Sequence, residues 1–147
     1  MDNINQGEEF ECLLNKFGDG LANEVWIERT IPFSPLNRKQ KNAVVAYAYD
    51  CLVNNGGILD FVDSNEGEFT HGQVMRALNS VGGFKFVFNY IMGLIALKVC
   101  DLNENWDFTF QIDNMFYGFK PSLADLFQKY LEKNEDKIFG TISKNNL

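Results

Sequence analysis

Side chains that commonly do chemistry are thinly supplied in this chain. Its 147 residues include one histidine, His71, and three cysteines, Cys12, Cys51 and Cys100. Nucleophilic catalysis of the Ser–His or Cys–His kind needs a base beside the nucleophile. His71 falls in the first turn of an expected helix, beside Gly72 and near Glu66 and Glu68, and reads as a solvated surface histidine. The cysteines are odd in number, far apart and free of C-x-x-C spacing. That argues against a disulfide framework and a thiolate zinc site and predicts buried free thiols in a reducing cytosol. No glycine-rich phosphate cradle occurs. Asp101-Leu102-Asn103-Glu104-Asn105 supplies the first three ligand positions of a calcium loop. Trp106 then stands where the sharp turn wants Gly, and Ile112 where a bidentate Glu is needed. Asp63-Ser64-Asn65 fails in the same way, and no carboxylate pair stands out for glycoside chemistry. The expectation is a protein that is not an enzyme and uses neither metal nor cofactor.

The elements that must position these residues are helical. Phe10, Leu13, Leu14 and Phe17 lie at i, i+3, i+4, i+7, one face of a helix that Gly18 and Gly20 should end. Leu21 to Glu28 is a second short candidate. Ser34-Pro35 reads as an N-cap followed by Pro at the first helical position. The helix it opens carries Val44, Tyr47, Ala48, Cys51 and Leu52, and Asn55-Gly56-Gly57 should stop it. A short piece, Ile58 to Val62, precedes a polar Asp63–Gly67 loop. Thr70 and Gln73 form a capping box, with Phe69 placed to staple onto Val74. Gly82-Gly83 ends that helix. Phe84 to Cys100 is apolar nearly all round and reads as the central helix, packed on several sides. The minority option is a small hairpin using Phe84–Phe86 and Phe108–Ile112. A last helix holds Leu123, Leu126, Phe127, Tyr130 and Leu131, with Ser122 and Asp125 forming its capping box. The fold expected is all-α, a single-domain bundle of about six or seven helices around a central apolar helix. Residues 1–30 read as an N-terminal helical extension, 31–139 as the main domain and 140–147 as a polar tail.

Bulk composition agrees with one core. Apolar residues make up 46%, charged residues 22%, and 14 of the rings are Phe. A chain of this length hides about 68–70% of its unfolded surface on folding. The start, Met1-Asp2-Asn3-Ile4-Asn5, is acidic and polar and does not read as a signal peptide. The 17 residues from Phe84 to Cys100 include Lys85, Asn89 and Lys98, short of the roughly 20 clean apolar residues of a membrane span. A soluble, cytoplasmic protein is expected.

Charge is unevenly distributed. There are 20 acids against 13 bases, a net −7, which disfavours direct nucleic-acid binding because phosphate neutralisation needs clustered Lys and Arg. From Asn42 to Met75 lie Asp50, Asp60, Asp63, Glu66 and Glu68 with no Lys or Arg. From Val99 to Phe119 lie Asp101, Glu104, Asp107 and Asp113, again without a base. Two such stretches on one compact body would steer basic partners. The bland alternative is solvated loops and caps, with Asp113 capping a helix.

The stretch Cys51-Leu52-Val53-Asn54-Asn55-Gly56-Gly57 through Gly67 resembles the signature of the bacterial DNA mimic protein family, nineteen-kilodalton type, much of which is classed only as a domain of unknown function. Gln73–Gly82 is similar to that family's following helix, and Asp113-Asn114-Met115-Phe116-Tyr117 to its D-x-x-F-Y element. The resemblance covers about residues 31–139. It implies an all-α fold, no cofactor, dimerisation, and carboxylates that mimic duplex phosphates on the DNA-binding face of a transcription factor. Asn54, Asn55, Gly56 and Gly57 read as structural, since Asn side chains bond nearby backbone and Gly frees the turn.

The residues expected to bind a basic protein partner are Asp60, Asp63, Glu66, Glu68, Asp101, Glu104 and Asp107. An immunity protein capping a toxin such as a nuclease is the alternative. A small hydrolase is the least favoured reading.

Overall fold

Helices begin where side chains can satisfy the amides that a first turn leaves open. A computed structural model describes residues 12–140, and three helix starts in it carry complete capping boxes. The Thr70 hydroxyl accepts from the Gln73 amide at 3.2 Å while Gln73 Oε1 accepts from the Thr70 amide at 2.8 Å. Ser122 and Asp125 repeat this at 3.2 Å in both directions. The third box is Asn37–Gln40, at 2.9 and 3.0 Å, and it corrects the expected start at Ser34-Pro35. That dipeptide lies in a turn closed by the Leu36 amide on the Phe33 carbonyl at 3.2 Å.

The architecture is an all-α single domain. The seven α-helices among the described residues are α1 (Leu13–Phe17), α2 (Arg38–Asn65), α3 (His71–Val81), α4 (Phe84–Asn103), α5 (Asp107–Gly118), α6 (Leu123–Lys133) and α7 (Glu135–Phe139). Gly18 does not end α1. A wider helical turn continues through Gly18–Ile27, closed by the Glu28 amide on the Asn23 carbonyl at 2.8 Å. The backbone departs from helix only at Gly20. Phe17, Leu21 and Val25 lie in the same core as the rest, so the described part of the expected extension packs into that core. Phe10, the Met1–Asn5 start and the tail beyond Gly140 lie outside the described residues. Both stretches proposed for a hairpin are helical.

The centre of the bundle is α2, which packs against α3, α4, α5, α6, α7 and the 18–27 segment. It carries Tyr47 and Tyr49 into two aromatic clusters. Tyr47 meets Phe17 at 5.7 Å and Phe127 at 6.0 Å between ring centroids. Tyr49 meets Phe61 at 4.8 Å, Tyr90 at 5.7 Å and Phe116 at 5.9 Å, all edge-on, the arrangement that the ring quadrupole favours.

The apolar helix expected at the centre, α4, is present but is not enclosed. One face is buried through Phe86, Asn89, Tyr90, Gly93, Ala96 and Cys100. Gly93 is needed there because a Cβ would stand 2.8 Å from Ile58 Cγ1. The opposite face leaves Phe84 72% and Leu102 83% exposed, with Phe88, Ile91, Ile95 and Val99 exposed between them. By length and composition α4 could cross a membrane. Its Asn89 amide donates to the Ile112 carbonyl at 3.0 Å, tying it to α5.

Candidate functional site

The sequence elements Asn54-Asn55-Gly56-Gly57 and Asp113–Tyr117 converge on one joint. Gly56-Gly57 does not stop α2; it bends the helix, which resumes at Ile58 and runs to Asn65. Gly57 has φ 76° and ψ −171°, a region open essentially only to glycine. The resumed helix needs an N-terminal acceptor. Asp113 of α5 supplies it, its Oδ1 accepting from the Ile58 amide at 2.9 Å. Four residues on, the Tyr117 hydroxyl donates to the Val53 carbonyl at 2.8 Å, satisfying the end of the first half of α2. Phe116 packs between them against Tyr49 and Phe86. One face of α5 thus clamps both sides of the bend.

The asparagines serve the same joint. Asn54 Nδ2 donates to the Asp50 carbonyl at 2.8 Å and to Asp50 Oδ1 at 3.0 Å. Asn55 Nδ2 reaches Asp60 Oδ2 at 3.3 Å. Burial pushes the Asp50 carboxyl up to about 6, with the Asn54 amide opposing. Burial also raises Asp113, against the Ile58 amide. These two acids are therefore parts of the scaffold.

The remaining acids fall into two sets. Asp60 is partly covered and bonded to Asn55, and Glu68 lies 3.5 Å from Arg29, the one ion pair among the described residues. Asp63, Glu66, Asp101, Glu104 and Asp107 are exposed, and among the described residues none of their carboxylates has an ion-pair partner. Asp63 is in the last turn of α2, so the expected loop begins only at Glu66, which takes a left-handed conformation. Asp101 is in the last turn of α4, Glu104 is its left-handed cap and Asp107 opens α5. The Asn105 side chain accepts from the Asp107 amide at 3.0 Å, an Asx turn leading into α5, and no His, Cys, Asp or Glu cluster suited to a metal occurs among the described residues.

A groove of about 510 Å³ opens between α2, α3 and α4. Val62 forms one wall; Ile91, Leu94, Ile95, Leu97 and Lys98 form the other, and His71 stands at the rim. Val62 immediately precedes Asp63, and Lys98 is one helical turn before Asp101. A second hollow of about 350 Å³ shares Val62 and His71 and reaches Tyr90 and Phe69. His71 is exposed as expected, but its Nδ1 is 2.7 Å from the Tyr90 hydroxyl. Burial pushes that hydroxyl up to about 12, so it is neutral at physiological pH. Sequence periodicity missed this groove, since its walls come from three helices; the only signal was that Ile91, Ile95 and Lys98 share one helical face.

All three cysteines are free. Cys100 is buried and accepts from the Thr109 hydroxyl at 3.1 Å. Cys12 is exposed, its thiol donating to Gln128 Oε1 at 3.2 Å, which corrects the expectation of three buried thiols.

Comparison with protein-family models, curated proteins and solved structures finds no match to this chain.

Proposed function

We propose that this is a soluble, cytoplasmic, non-enzymatic protein that docks through exposed carboxylates onto a basic protein surface. The DNA-binding face of a transcription factor is the surface whose chemistry fits. Duplex DNA presents about one charge per 1.7 Å of axis, so spaced carboxylates on a stiff helical body compete for the same Arg and Lys. The observation that carries the reading is the lack of internal neutralisation: Asp63, Glu66, Asp101, Glu104 and Asp107 are exposed, while the one ion pair among the described residues uses Glu68.

The test uses the immobilised protein and a panel of purified DNA-binding transcription factors. The expected result is retention of a member at low salt and its release by duplex DNA or by raised salt, since exposed charges more than about 10 Å apart are largely screened at 0.1 M. Neutralising Asp63, Glu66, Asp101 and Glu104 as amides should abolish retention. Retention indifferent to salt and to those four changes would overturn the reading.

A further inference from the structure

Bases are scarce in this chain, 13 in 147 residues, and the fold gathers Arg38, Lys41 and Arg76 round one pocket between α2 and α3. Lys41 and Arg76 are the two bases that bound the base-free stretch from Asn42 to Met75, and packing of α3 on α2 brings those ends together. The pocket holds about 250 Å³, and among the described residues no carboxylate lines it. We propose that it binds a small phosphate-bearing molecule.

Three observations point to that ligand. The first is convergence from two elements. Arg38, Lys41, Asn42 and Val45 stand at i, i+3, i+4, i+7 on α2, and Gln73 and Arg76 at i, i+3 on α3, so each set shares one helical face. The Asn42 Nδ2 donates across to the Ser80 hydroxyl of α3 at 3.1 Å, which fixes one face against the other. Asn42 and Val45 are buried, while Arg38 and Arg76 are exposed, so the pocket has a closed floor and a cationic mouth.

The second is positive charge with no internal answer. The one ion pair among the described residues is Arg29–Glu68. Arg38, Lys41 and Arg76 therefore lack a carboxylate partner there, although the chain carries 20 acids. Gathered cations repel one another, and an anion among them reverses the sign of that energy. A phosphomonoester brings about −1.5 to −2 charges at pH 7 and three acceptor oxygens. A carboxylate, with a single charge, leaves most of the positive charge unmatched.

The third is donor chemistry. The two guanidinium groups carry planar forks that suit phosphate oxygens, and Lys41 adds a point charge. Lys41 Nζ lies 5.7 Å from the centroid of the Phe33 ring, a cation–π contact that limits where the ammonium goes. Gln73 uses its Oε1 on the Thr70 amide at 2.8 Å, which leaves its Nε2 hydrogens for the pocket it lines. A nucleic-acid strand fits less well. Backbone binding needs bases in a stripe, and the net charge of −7 repels a polyanion. The proposal uses none of the acids assigned to a basic partner, so it is independent of that reading.

Isothermal titration calorimetry of the full chain with inorganic pyrophosphate, in a low-salt buffer free of other phosphates, tests it. The expected result is one site per chain. Arg76→Gln should weaken binding by about tenfold or more, the loss of one charge-assisted hydrogen bond, and Arg38→Gln combined with Arg76→Gln should abolish it. Both arginines are exposed, so their replacement leaves no cavity, and the melting temperature without pyrophosphate should not fall. Amide variants of Asp63, Glu66, Asp101 and Glu104 should still bind pyrophosphate, which separates this site from the acidic surface. A wild type that takes up no pyrophosphate, or binding unchanged in the double arginine variant, would overturn the proposal. So would a single-stranded oligonucleotide bound through the two arginines by a protein indifferent to pyrophosphate, which would assign the pocket to a nucleic-acid backbone.

Discussion

At Asp50, a carboxyl pushed up to about 6 is held against the bend of α2. Its folded value lies above the ordinary 3.8, so between those two values the folded state binds more protons than the unfolded one. Stability from this group is therefore fully present below about pH 4 and is lost as pH rises through about 6. Asp50→Asn removes the cost of burying the charge and keeps an acceptor for Asn54. It should raise stability at pH 7 by of order 2 kcal/mol and flatten the pH dependence between 4 and 6, read from thermal melts across pH. At Gly57 the opposite outcome is expected. A Cβ there would collide with the Asp113 carboxylate, and the backbone conformation excludes L side chains. Gly57→Ala should destabilise the fold by about 1–3 kcal/mol in chemical denaturation. Neither effect is visible in residue order. Asp50 and Gly57 are ordinary helix and turn residues until packing buries the first and sets Asp113 against the second.

Helices began and ended largely as local rules require. The Thr70–Gln73 and Ser122–Asp125 boxes were legible because both partners lie within one turn. The start of α2 was misread because Ser34-Pro35 satisfies the same rule as Asn37–Gln40, and only the Phe33–Leu36 turn decides between them. The bend in α2 was misread for a different reason. Two glycines after a helix usually end it, but here Asp113, 55 residues away, supplies the cap that lets the helix resume. The clamp predicts coupling. Asp113→Ala should cost about 1 kcal/mol, as for lost N-caps, and Tyr117→Phe about 1 kcal/mol for its hydroxyl bond. Combined, the two should depart from additivity by at least about 0.5 kcal/mol, since both hold α5 to one joint. Faster hydrogen exchange at the amides of Ile58 to Phe61 in Asp113→Ala would locate the effect in the resumed helix.

Across the whole molecule, charge and apolar surface divide the outside. Among the carboxylates of the two base-free stretches, Asp50 and Asp113 serve the scaffold, Asp60 is partly covered and Glu68 is paired with Arg29, and the other five are exposed and unpaired among the described residues; burial and pairing are not contained in charge counting. The same holds for α4. Its near-uniform apolarity suggested a helix wrapped on all sides; its buried face packs against α2, α3 and α5, and among the described residues the other face is left exposed.

The all-helical class and the capping boxes that open α3 and α6 follow from residue order alone, because periodicity and capping act between residues no more than a few positions apart. Which acids are solvated, where α2 bends and which side of α4 is left bare were decided only when distant segments packed. Those properties depend on which groups from other helices exclude water from a given side chain, and no local spacing encodes that.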